Sequence, residues 1–169
     1  YLSRRVNIQL FEDGQAKVSI NKTFSGLWYD EASLGRYKPE EQIKRLNLTY
    51  DLTEAHFHNI NTSKQKSRIP VALESFDVLV PSLGRKIGSR ILVDAQVFTA
   101  GNFSLPADSS RTADLFLRYA QKIIDTVVIK VPVNWEISSV PPEVHLQEIF
   151  GSFTWKMEKT SEGFIIYRS

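Results

Sequence analysis

Arg5-Val6-Asn7-Ile8-Gln9-Leu10-Phe11-Glu12-Asp13-Gly14-Gln15-Ala16-Lys17-Val18-Ser19-Ile20 is the stretch that decides the fold class. An apparent strand over 5–11 meets a Glu12-Asp13-Gly14 turn, after which Ala16, Val18 and Ile20 point one way and Lys17, Ser19 and Asn21 the other. Period-two alternation across a short Gly-containing turn is a hairpin signature, with one face buried. The same alternation recurs in Phe76, Val78 and Val80; in Ile91, Val93, Ala95 and Val97; in Val127, Ile129, Val131 and Val133; and in Phe153, Trp155 and Met157. Phe164 and Ile166 set against Ile165 and Tyr167 complete the series. About seven strands with turn residues between them predict an all-β fold, an antiparallel β-sandwich with one short helix. Breaks at Phe150-Gly151-Ser152 and Ser161-Glu162-Gly163 make 144–168 a three-stranded meander, and such short connections argue against parallel pairing.

One segment reads as helix. Pro39 suits a first helical position, Glu40 and Glu41 complement the positive end of the helix dipole, and Lys44 and Arg45 complement the other end. Ile43 and Leu46 then share a face expected to seal an edge or end of the sheet. A shorter helix is expected over 30–34, ended by Gly35. The stretches 61–67 and 106–110 are linker-like but short. Residues 1–169 are therefore expected to form a single all-β domain, a fragment of a longer chain because it opens on Tyr1 without an initiator Met.

Composition narrows the function classes. With 42% hydrophobic and 24% charged residues, and no apolar run near the roughly 18 residues a span requires, no membrane span is expected. Twenty-one Lys and Arg against nineteen Asp and Glu leave +2, far from the field that gathers nucleic acid, so no nucleic-acid partner is expected. The first ninety residues hold fourteen basic and ten acidic side chains, the remainder seven and nine. Much of the basic excess lies over 64–90, in Lys64, Lys66, Arg68, Arg85, Lys86 and Arg90, where it reads as solvated loops and edge-strand protection.

No cysteine is present, which removes disulfides, a thiolate nucleophile and Cys-containing metal sites together. His56 and His58 would project from one face of a strand, but the remaining histidine, His145, is remote in sequence. They are read as exposed or half-buried edge-strand histidines, with no metal and no cofactor expected. No Gly-x-Ser-x-Gly elbow supports a serine hydrolase, and the loop carrying Gly84 and Gly88 lacks the Lys-Ser/Thr ending of a phosphate loop. Glu12/Asp13, Asp30/Glu31 and Glu40/Glu41 sit at turns or helix starts, where they have local structural roles. The chain is accordingly read as noncatalytic, with no catalytic residue assigned. Trp28 and Tyr29, beside Asp30 and Glu31, are the aromatic pair expected to be open to a partner, a peptide or a glycan. Trp155 alternates in phase with Phe153 and Met157, as on a buried face. A carbohydrate-binding module resting on Trp28, Trp135 and Trp155 is the alternative reading. Asn-x-Ser/Thr tripeptides at Asn21, Asn47, Asn61 and Asn102 are common by chance and carry no weight.

The second half also carries a wider pattern. Arg118-Tyr119, then Asp125-Thr126-Val127-Val128-Ile129-Lys130-Val131-Pro132, then Trp135-Glu136-Ile137 with Pro141 and Val144, Phe150-Gly151-Ser152-Phe153 and Ile166-Tyr167-Arg168-Ser169 follow in order. This resembles the C-terminal domain of unknown function that follows the transglutaminase-like domain in exported proteins of Gram-negative bacteria. The opening is similar as well, with Asp13-Gly14 in a first turn, a second strand running into Ser25-Gly26, and a helical segment before residue 47. The resemblance implies a noncatalytic accessory or interaction module in the periplasm or cell envelope. Its partner would be the upstream transglutaminase-like or protease-like domain of the same protein, which would hold the Cys-His-Asp machinery. Such domains continue past the position of Arg168, so the last sheet edge is expected to be unfinished at Ser169.

Overall fold

The inward-phase residues of the opening hairpin are buried as their spacing predicts: Val6, Ile8, Leu10, Ala16, Val18 and Ile20 all lie in one core. The computed structural model describes residues 1–94, 96–99 and 119–169. Ala95, Asn102, the 106–110 stretch and Arg118 lie outside the described residues. In chain order the elements are β1 (Leu2–Leu10), β2 (Ala16–Ser25), α1 (Pro39–Tyr50), β3 (His56–Gln65), β4 (Val71–Val80), β5 (Gly84–Ile87), β6 (Arg90–Val93), β7 (Ile123–Lys130), β8 (Val144–Glu148), β9 (Gly151–Thr160) and β10 (Gly163–Arg168). The fold is all-β, as expected. Eight strands form one sheet in the order β3-β4-β2-β1-β7-β10-β9-β8, and β5 pairs with β6 in a separate hairpin.

The expected meander is present as β8, β9 and β10. One ladder departs from expectation: β1 runs parallel to β7, with Val6 opposite Val127 and Ile8 opposite Ile129. Alternation tells which face of a strand is buried but not which way its neighbour runs, and the long chain between β1 and β7 is ample for a crossover. Two expected strands are shorter. β7 ends at Lys130 because Pro132 has no N–H to continue the ladder, and Val133 is fully solvent-exposed. β6 ends at Val93, after which Thr99 N–H donates to Gln96 O in a turn. Most of the linker-like 61–67 belongs to β3, and 3-10 turns at Gly26–Glu31 and Leu34–Arg36 replace the short helix expected over 30–34.

Both halves of the sheet feed one core, sandwich-like in that sense: Val127, Ile129, Trp155 and Ile166 join the β1, β2 and β4 residues. α1 covers this face through Leu46 and Tyr50, while Ile43, expected to help, is exposed. Tyr50 packs its ring within 6.0 Å of the centroids of Phe57, Phe76 and Phe98. Offset and tilted aromatic contacts of this kind add to burial.

Backbones approach closely at Gly163, in the β9–β10 turn. Its φ is +152°, and a Cβ there would stand 1.9 Å from Ile129 O. Gly151, one hairpin earlier, has open space around it. Gly163→Ala is therefore expected to cost about 2 kcal/mol or more by forcing β10 off β7, whereas Gly151→Ala should be nearly neutral. Urea unfolding of the two variants checks the contrast. Trp155 is 9% exposed, and Trp155→Ala should cost about 3 to 5 kcal/mol. Lys156→Ala, one residue on and paired with Glu158 at the surface, should leave the unfolding midpoint almost unchanged.

Candidate functional site

Strand register places five charged side chains in one row across the buried face. Glu74 on β4 lies opposite Lys22 on β2, Lys22 opposite Arg4 on β1, Arg4 opposite Asp125 on β7, and Asp125 opposite Arg168 on β10. Asp125 is almost wholly buried and is clasped from both sides. Arg4 donates to it through Nε at 2.6 Å and Nη2 at 3.0 Å, and Arg168 donates through Nε at 2.8 Å. Arg168 also donates to the backbone carbonyl of Thr99. At the other end of the row, Leu34 N–H donates to Glu74 Oε1 at 2.9 Å, and the Lys22 ammonium stands 5.2 Å from the Tyr50 ring centroid and 5.5 Å from that of Phe76. The row divides the main core from a smaller cluster of Leu2, Phe24, Ala32 and Ala72. Every buried side-chain polar atom among the described residues has a hydrogen-bond partner, so the row acts as a satisfied structural network.

The opposite face carries its own polar row. Asn7, Ser19, Asp77 and His58 follow one another across β1, β2, β4 and β3, along a groove of about 470 Å³ that Gln9, Lys17, Val128 and Lys130 also line. Ser19 Oγ donates to Asp77 Oδ1 at 2.5 Å, and Asn59 Nδ2 donates to Asp77 Oδ2 at 2.8 Å. The Ser19 bond first, then that of Asn59, hold the Asp77 carboxyl below its ordinary value of 3.8. Serine, aspartate and histidine thus meet, but in an order that does not activate the hydroxyl. The carboxylate stands between Ser19 and His58, and the His58 Nδ1–H is directed at the His56 carbonyl at 3.2 Å. A general base must reach the nucleophile it deprotonates, with the carboxylate behind it. What the arrangement does is pin β3 to β4 at the register shift between His58 and Asn61, where Asn59 has φ +52°.

His56 and His58 are both exposed on β3, at one edge of the sheet. His145 lies on β8, at the opposite edge, where its Nε2 is 3.0 Å from Glu143 Oε1. Among the described residues no three His, Cys, Asp or Glu side chains gather to hold a metal. The carboxylate pairs have local contacts: Asp13 Oδ1 accepts from Gln15 N–H at 3.0 Å in the hairpin turn, and Glu41 pairs with Arg45 one helical turn on.

Trp28 and Tyr29 lie in the 3-10 turn Gly26–Glu31, half-buried against the smaller apolar cluster. The Lys64 ammonium stands 4.9 Å from the Tyr29 ring centroid, and Leu27 is the apolar side chain of that turn that faces solvent, alongside the exposed Asp30 and Glu31. Trp135 packs against the main core instead. Among the described residues no helix is long and apolar enough to cross a membrane. Sequence reasoning passed over Asp125, Glu74 and the arginines that face Asp125. A signal existed for Asp125, which stands in the inward phase of Val127 and Ile129.

A family model described as a domain of unknown function with solved structure (DUF3858) matches residues 89–169, and this stretch is similar to that family. No curated protein matches the chain. No solved structure matches it either.

Burial raises the Glu74 carboxyl above its ordinary value of 4.5, a shift that the Leu34 N–H and the Lys22 and Lys64 ammonium groups only partly offset. The unfolded chain therefore releases this proton first as pH climbs past 4.5, and folding stability falls until the raised folded value is passed. Glu74→Gln keeps an oxygen for Leu34 N–H and removes the titration. The stability of the variant relative to wild type should increase between about pH 4 and pH 7 in urea unfolding, while Asp77, common to both, cancels. A pH-independent difference would contradict the assignment.

Proposed function

We propose that the chain is a noncatalytic accessory module of an exported envelope protein, carried behind a transglutaminase-like domain that supplies the chemistry. Its partner is that upstream domain, and its docking surface is the end of the sheet where β1 begins. The observation that carries this reading is the gathering of exposed apolar side chains at that end: Tyr1 is 46%, Leu27 61% and Ile69 65% exposed. Backbone bonds tie the three segments together. The Tyr1 backbone nitrogen donates to Ser25 O at 2.9 Å, Ser25 N–H donates to Tyr1 O at 2.8 Å, and Gly26 N–H donates to Pro70 O at 3.3 Å. A chain arriving from an upstream domain would enter beside Leu27, Trp28, Tyr29 and Ile69. Single exposed apolar residues need no explanation, but several together at an entry point suit a domain–domain contact.

The accessory role and the periplasmic or envelope setting both follow the resemblance of the longer stretch, within which 89–169 is similar to a domain of unknown function. A sugar platform would need coplanar exposed rings. Trp155 is buried, and Trp28 and Trp135 pack on different apolar clusters, which favours the scaffold reading over the glycan one.

Amide hydrogen exchange on the full-length gene product and on the 1–169 chain tests the proposal. Amides of 25–31 and 67–71 should exchange about tenfold or more slowly in the full-length protein, and Leu27→Asp combined with Ile69→Asp should erase that protection. Equal exchange in the two proteins would overturn it.

A further inference from the structure

We infer that β8 is an open docking edge for an extended, cationic peptide segment, which it binds by strand addition. This stands apart from the upstream-domain reading and uses a different edge of the molecule. Among the described residues the sheet ends in β3 on one side and β8 on the other, and the two edges differ in kind. β3 is guarded. A register shift interrupts its ladder between His58 and Asn61, and Lys64, Lys66 and Arg68 stand within 55–73, a stretch without a single Asp or Glu. Bulges and lysines are the usual means of keeping an edge from pairing with another chain. β8 has neither. It runs Val144–Glu148 in unbroken register against β9, and residues 131–155 contain Glu136, Glu143 and Glu148 but no Lys or Arg.

The β8–β9 ladder runs from Val144 opposite Trp155 to Glu148 opposite Gly151. On this hairpin Leu146 lies opposite Phe153, both exposed, and Ile149 and Phe150 at its tip are exposed as well. An added strand would gain main-chain hydrogen bonds from β8 and set an apolar side chain beside Leu146, extending the row that Leu146 makes with Phe153.

Charge selects the occupant. Glu143 and Glu148 flank β8 at its two ends, so a segment with Lys or Arg near its ends is complementary and an acidic one is repelled. A second copy pairing through its own β8 would bring four glutamates to one junction with no Lys or Arg from 131–155 to offset them, while the adjacent Lys156 is already paired with Glu158. The guarded β3 edge is a poor mate for the reason already given.

The probe is an acetylated, amidated octapeptide of alternating valine and threonine with a lysine at each end, compared with the same peptide carrying glutamate at each end. Titration at low salt should give about tenfold tighter binding of the lysine-ended peptide, with amide shifts confined to 144–148, and the preference should invert in the Glu143→Lys/Glu148→Lys variant. Absence of binding at millimolar peptide, a preference unchanged by the charge reversal, or shifts located elsewhere would each overturn the inference. So would a dimer in sedimentation whose β8 amides are protected without peptide, since a second copy would then occupy the edge.

Discussion

Asp125 between Arg4 and Arg168 is the constraint on which the sheet depends. It joins β1, near the start of the chain, to β7 and to β10, near its end, and Arg168 carries the link on to the turn at Thr99. Removing one partner from a buried, hydrogen-bonded charge typically costs about 3 to 5 kcal/mol, whereas replacing a whole set by apolar residues is often neutral. The gain from the clasp lies mainly in register. Sliding β1 by two residues along β7 would keep every apolar side chain on its proper face, yet it would bring Val6 or Leu2 opposite Asp125 and strand the carboxylate. The apolar pattern tolerates that slip and the charge does not.

The polar row also explains why the buried face holds two clusters. Above it, α1 and the Phe98 turn close over the main core, with Tyr50 packed among three phenylalanine rings. Below it, a 3-10 turn is the cover, and Leu2, Phe24, Ala32 and Ala72 form a shallow cluster on which Trp28 and Tyr29 lie half-buried. Incomplete closure of a small cluster leaves apolar groups at the rim, and Tyr1, Leu27 and Ile69 are those groups. The exposed apolar rim thus has its origin in a division of the core made by charge.

Much of this was legible in the sequence, and the rest escaped for identifiable reasons. The β1–β2 hairpin and the β8–β9–β10 meander were readable because each is local, set by alternation and a short turn. The β1–β7 ladder was not, because its partners are far apart in the chain and period-two spacing says nothing of strand direction. β3 hid because it is exposed along most of its length, with Phe57 its one buried residue, so no alternation marks it. Ile43 drew attention through its spacing to Leu46, but the helix turns its deep face through Leu46 and Tyr50. At the candidate sites, the inward charge of Asp125 was visible and its mates were not. The meeting of Ser19, Asp77 and His58 needed three strands to be placed side by side.

The same topology bears on what a match to 89–169 means. That stretch holds β6 to β10, but the strand that flanks β7 on its other side is β1, from outside the match. Arg4 comes from outside it too, while Asp125 and Arg168 lie within, so the matched residues alone would leave half of the clasp empty and the inner face of β7 without its neighbour. A buried carboxylate with one of its two guanidinium partners missing is poorly compensated. The unit that folds, and on which any function has to be carried, therefore includes β1, β2 and β4 together with the matched strands.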